Sequence, residues 1–208
     1  MSHPPNIEAN IELENLWLEV RRGDKRAFST LFLKNYTHLY NYGRKLYNES
    51  EIVEDAIQDV FATIWQTRER LSSVTSVKAY LLISLRRRLL RMLQKERVED
   101  PVGDNIKHII PNIEFSGDEI MLDSRDKDMH KALAEVLNQL PNQKKEVIYL
   151  YFYSGMDYEE IAQIMELHIQ TVRNYMSMAL ARAKDIILEK ELPQFLLSLA
   201  IFFVILPH

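Results

Sequence analysis

The chain has no cysteine. That absence excludes disulfides, thiolate zinc centres and cysteine nucleophiles together, and it suits a reducing compartment. Glycine is also scarce, five residues in 208. Few turn clusters interrupt long stretches of helical period, which argues for an all-α fold. The opening MSHPPNIEANIELENLWLEV lacks the basic start and apolar run of a secretory leader. Apolar runs are short as well. The one that stands out, Phe195 to Leu206, has twelve residues, against the ~20 a membrane helix needs. A cytoplasmic protein is therefore expected, with this stretch a helix docked on a groove or an interaction tail in preference to a membrane span.

A basic excess is missing too: the formal net charge is −4. The charges are, however, segregated along the chain. Lys78, Arg86, Arg87, Arg88, Arg91, Lys95 and Arg97 stand against Glu96 alone, whereas Asp and Glu dominate from Glu99 to Asp128. A basic stretch beside an acidic one can serve a polyanion at one place and a basic protein surface at another.

The apolar periodicity predicts a first helix over Ile11 to Arg22, ended by Gly23. Asp24 caps a second, with Phe28, Leu31, Phe32, Tyr36, Leu39 and Tyr40 on one side. A third follows Ser50. Val53, Ala56, Ile57, Val60, Phe61, Ile64 and Trp65 form its stripe, which leaves Glu51, Glu54, Asp55, Gln58 and Asp59 outside. After Ser72 to Ser76 a fourth runs from Val77 to about Lys95. Arg97 to Asp123, punctuated by Pro101, Gly103, Pro111 and Gly117, reads as an acidic linker. A second helical unit then opens near Ser124, and a helix after Pro141, NQKKEVIYLYFYS, is stopped by Gly155.

The stretch from Asp157 to Lys184 holds two helical patterns around a break too short for a loop. Asp157 with Glu160 makes a capping box for the first. In the second, Val172, Met176, Ala179, Leu180 and Ala183 line a buried stripe. Gln170, Thr171, Arg173, Asn174, Ser177 and Arg182 remain outside, a set of donors and acceptors in place of a plain Glu/Lys mixture. This is the helix-turn-helix pattern, whose second helix enters the major groove of DNA. An ordinary helical hairpin with a polar outer face is the alternative. In the fourth helix, Arg86, Arg87, Arg88 and Arg91 repel one another within little more than a turn, and phosphates would relieve that repulsion.

Three motifs carry a resemblance: VEDAIQDVFATIW, VKAYLLISLRRRLLRMLQK, and the segment from Leu140 through the helix-turn-helix to Lys184. In this order and spacing they resemble the extracytoplasmic function (ECF) sigma factors of bacterial RNA polymerase, over roughly Asp24 to Lys95 and Asp123 to Lys190. The resemblance implies two small helical domains, a polymerase-binding and promoter-melting unit over 1–97 and a helix-turn-helix unit over 123–192. An acidic linker over 98–122 joins them and an apolar tail occupies 193–208. It implies that Asp55, Gln58 and Asp59 meet core polymerase, and that Arg86, Arg87, Arg88 and Arg91 meet the downstream promoter element. Gln170, Thr171, Arg173, Asn174 and Ser177 would read the upstream element, and the loop within Arg70 to Ser76 would capture an unstacked base. Promoter DNA, core RNA polymerase and an anti-sigma factor are the implied partners. No cofactor, catalytic residue or small-molecule substrate is implied. The sequence departs from the family pattern at Arg87 and Arg91, where Asn and Asp are common. It departs again at Tyr80 for Trp, Glu166 for Gly and His168 for Ser.

Two other classes compete. A stand-alone operator-binding regulator would share the helix-turn-helix but has no need of an acidic helix followed by an arginine cluster. A metal enzyme would have to use Asp123, Asp126, Asp128 and His130, which helical spacing spreads over different faces.

Overall fold

The computed structural model describes residues 7–99, 113–117 and 127–190. Among these there is no strand, and the fold is all-α. The chain divides into two compact units, one built on the first four helices and one on most of the last four.

In the first unit α1 spans Ile7–Arg21, α2 Lys25–Leu46, α3 Ser50–Thr67 and α4 Val77–Glu99. Helix α1 starts ahead of the expected Ile11, and α4 runs past the expected Lys95. The joint between α1 and α2 follows from two residues. Gly23 takes φ 92°, and its N–H reaches the Val20 carbonyl (2.9 Å) while Asp24 N–H reaches that of Glu19 (3.0 Å), so the last carbonyls of α1 are satisfied. Asp24 then caps α2, its Oδ1 accepting from Arg26 N–H (2.7 Å) and Ala27 N–H (2.8 Å). Helix α2 packs on α1, α3 and α4, and α3 also packs on α4. Val53, Ala56, Ile57, Val60, Phe61 and Ile64 of α3 are buried, as the stripe requires, while Trp65, its last member, is half-buried. Each large one contributes about 1.5–3 kcal/mol. Burial of this inner face presents the other face of α3 outward. Trp17 of α1, 2% exposed, donates its indole N–H to the Ser72 carbonyl at 3.1 Å and meets the Tyr80 ring edge-on at 5.0 Å. It thereby ties the α3–α4 loop to the start of α4.

In the second unit α5 spans Lys127–Asn138, α6 Asn142–Ile148, α7 Tyr158–Met165 and α8 Ile169–Glu189. The helix expected to run straight from Asn142 to Ser154 changes character after Ile148: Tyr149–Tyr153 is π-helical. Ser154 N–H bonds back to the Tyr149 carbonyl (3.1 Å) and Met156 N–H to that of Leu150 (3.0 Å). The wider turn stacks Tyr149 on Tyr153 at 5.4 Å, with Phe115 against both. Gly155 at φ 64° ends it.

Residues 113–117 fall inside the stretch that reads as linker, yet Ile113 and Phe115 are core residues, 0% and 4% exposed. The Asn138 side chain closes a two-way clamp on Phe115, accepting from its N–H and donating to its carbonyl, each at 2.8 Å. Burial pushes the ammonium pKa of nearby Lys145 down, against the pull of the Glu114 carboxylate. The rest of 98–122, apart from the end of α4, lies outside the described residues, as does the tail over 193–208.

Candidate nucleic-acid interface

The turn between α7 and α8 holds three residues, Glu166 to His168. Asp157 and Glu160 form the expected capping box, Asp157 N–H to Glu160 Oε2 at 3.0 Å and Glu160 N–H to Asp157 Oδ1 at 2.7 Å. Helix α7 ends as α1 does, with Leu167 N–H on the Ala162 carbonyl (2.9 Å). Here Glu166 takes the left-handed position at φ 57°, where glycine is the easier residue. His168 follows as the N-cap of α8 and makes no side-chain cap bond.

That turn fixes which side of α8 faces out. Val172, Met176, Ala179, Leu180 and Ala183 are buried, while Gln170, Arg173, Asn174 and Ser177 are exposed and Thr171 is half-buried. Gln170 Nε2 donates to Asn174 Oδ1 at 3.1 Å, which pre-orients the two amides on one rim. Arg173 lies 4.0 Å from Glu159 of α7, with its guanidinium 6.0 Å from the Tyr158 ring centroid. The periodicity of α8 points to Arg173 but not to the Tyr158 and Glu159 that steady it, because they belong to the preceding helix.

In the first unit Asp55, Gln58 and Asp59 are exposed on the outer face of α3. On α4, Arg87 and Arg91 are exposed and Arg86 and Arg88 half-buried. Arg91 Nε returns to the Arg87 carbonyl at 3.1 Å. Between α3 and α4 lies a groove of about 510 Å³, lined by Asp59, Thr63, Tyr80, Ser84 and the three arginines Arg87, Arg88 and Arg91. The structure joins two residues that the sequence assigns to separate sites: Arg88 Nη2 donates to Asp59 Oδ2. Trp17, which holds the loop beside this groove, is a positioning residue the sequence reading missed. Its cue is a large aromatic within the amphipathic pattern of α1.

Of the residues weighed as metal ligands, Asp123 and Asp126 lie outside the described residues. Among those described, no three His, Asp or Glu side chains stand together as a metal site.

Two family models match the chain. "Sigma-70 region 2" covers residues 31–98, on the first unit, and "Sigma-70, region 4" covers 130–182, on the second. The chain belongs to the sigma-70 family, in its ECF group. This sigma factor is 22% identical over 181 residues to the ECF RNA polymerase sigma factor SigK of Mycobacterium ulcerans (strain Agy99), covering 86% of this chain and 95% of that one. It is 23% identical over 168 residues to SigK of Mycolicibacterium vanbaalenii, covering 79% and 84%. Two solved structures share its fold. One is CnrH in complex with the cytosolic domain of CnrY, with a TM-score of 0.56 and 19% identity over 85% of this chain and 97% of that one. The other is the sigma factor RpoE in complex with the anti-sigma factor NepR from Bartonella quintana, with a TM-score of 0.54 and 24% identity over 82% and 96%.

Proposed function

We propose that this chain is a dissociable promoter-specificity subunit that binds core RNA polymerase and directs promoter recognition, opening and transcription initiation. The observation that carries the reading is the match of both promoter-handling regions, in order, each to its own helical unit. It works in the cytoplasm and carries out no bond chemistry itself. Its parts are the unit over 1–97, the acidic linker over 98–122, the unit over 123–192 and the tail over 193–208.

Each role follows from charge and exposure. Asp55, Gln58 and Asp59 offer a one-signed, exposed face to a basic polymerase surface, and such complementarity steers docking. Arg86, Arg87, Arg88 and Arg91 take phosphates near the downstream element, contacts that position the strand more than they read it. Gln170, Thr171, Arg173, Asn174 and Ser177 enter the major groove of the upstream element. There an arginine suits guanine and an amide suits adenine. An anti-sigma factor is the expected regulator, since both solved relatives named above are bound to another protein, one of them called an anti-sigma factor.

Co-purification separates this reading from that of a stand-alone operator-binding regulator. The chain is expected to form a stable complex with core polymerase and to bind duplex promoter DNA poorly until that complex forms. Tight, specific duplex binding by the free chain, with no retention on core polymerase, overturns it.

A further inference from the structure

We propose that Asp59 gates the arginine groove: in the free protein it holds Arg88 away from nucleic acid, and engaging Asp59 with polymerase releases Arg88 to a phosphate of the promoter strand. The inference rests on the proposed function above and adds to it a coupling between two surfaces.

The geometry supplies both halves. Asp59 lies on the exposed face of α3 beside Asp55 and Gln58, the set proposed to dock on polymerase, yet its carboxylate also lines the groove between α3 and α4. There it accepts from Arg88 Nη2. Asp59 and Arg88 side chains are 53% and 40% exposed, so a competing partner can reach both. The Arg88 Nε is buried and finds no acceptor among the described residues, so the guanidinium is only partly satisfied by Asp59. A phosphate presents several oxygens to a planar fork of donors and can take up what one carboxylate leaves over. Arg87 and Arg91 line the same groove and would add to the attraction for that anion.

One carboxylate cannot neutralise Arg88 and a basic polymerase surface equally at once. Whichever partner takes Asp59 weakens the other's hold, and a phosphate that takes Arg88 returns Asp59 to polymerase. The coupling is therefore reciprocal. Exposed ion pairs are weak, so the gate is a bias and not a lock. An effect of about two- to fivefold in affinity is expected.

Two measurements on the full chain test it. The first titrates the free protein with a fluorescein-labelled single-stranded oligothymidine of about fifteen nucleotides. Asp59→Asn should bind about two- to fivefold more tightly than wild type. Asp55→Asn, which changes the net charge equally from the same face of α3 but has no place in the groove lining, should gain clearly less. The advantage of Asp59→Asn should vanish in an Arg88→Ala background. The second measures affinity for core polymerase without DNA. Arg88→Ala should bind more tightly than wild type, and more tightly than the equal-charge variant Arg91→Ala. Equal gains from Asp59→Asn and Asp55→Asn, a gain that persists without Arg88, or no oligothymidine binding by either wild type or Asp59→Asn overturns the gate. So does core-polymerase binding that Arg88→Ala and Arg91→Ala change alike. If no variant binds core polymerase, the proposed function fails, and the oligothymidine cycle still decides whether Asp59 restrains Arg88.

Discussion

Gly43 of α2 lies directly against Val53 of α3: a Cβ placed on the glycine would stand 2.5 Å from Val53 Cγ1, with Leu85 and Leu89 of α4 at 3.5 and 3.6 Å. The glycine is there for close approach of three helices. Helix propensity alone favours alanine by about 1 kcal/mol. Overpacking at this contact reverses the sign, and Gly43→Ala is expected to destabilise the first unit by roughly 1–3 kcal/mol. Chemical denaturation followed by the Trp17 and Trp65 fluorescence reads it. A variant as stable as wild type would mean that α2 and α3 are not in this contact.

The Asn138 clamp makes a second test. Asn138→Ala removes both bonds to the Phe115 backbone and should cost the second unit about 1–2 kcal/mol. Hydrogen exchange at the Phe115 amide should accelerate, while α8 amides such as Met176 keep their protection. Uniform loss across the unit would show that the clamp supports the whole core and not one segment.

His38 provides a pH test. Burial first, and then the neighbouring Lys78 charge, lower its pKa to about 4. The unfolded chain takes up that proton near the ordinary value of about 6.5, so between the two the unfolded state binds more protons. Stability from this residue is complete above pH 6.5, is lost as pH falls towards 4, and levels off below. The loss is roughly 3 kcal/mol. His38→Gln should remove that component, read as the difference between the two stability curves from pH 7 to 4. Parallel curves would contradict a buried neutral histidine.

Most of the fold is legible from apolar period. The stripes of α3 and α8 fall where steps of three and four put them, and Asp24, Asp157 and Glu160 announce helix starts because capping is local chemistry. Three features escape such reading. The π-helical turn at Tyr149–Tyr153 depends on how its rings pack with Phe115, a contact distant in sequence. Ile113 and Phe115 sit among prolines, glycines and acids that read as linker, and only Asn138, more than twenty residues on, shows that they are core. The pairing of Asp59 with Arg88 crosses two helices, so the sequence exposes both residues without showing that they meet.

The two arginine sets should fail in different ways. Arg91→Ala is expected to weaken promoter binding by the polymerase complex for all sequences and to lower the salt slope by about one. Arg173→Ala should instead relax preference at one position of the upstream element, by roughly 1–3 kcal/mol between matched and mismatched base pairs. Binding competitions across a set of single-base upstream variants, repeated at several salt concentrations, separate the two. The same sequence-independent loss from both would remove base reading from Arg173.

Transcription in vitro from a genomic fragment library tests the central claim most directly, with core RNA polymerase and the purified chain as the only proteins. Discrete start sites are expected that appear only when the chain is added and share an upstream and a downstream element. They should be lost when Asp55 and Asp59 are both changed to Lys in a variant that remains folded. Transcript ends no different from those of core polymerase alone would contradict that claim.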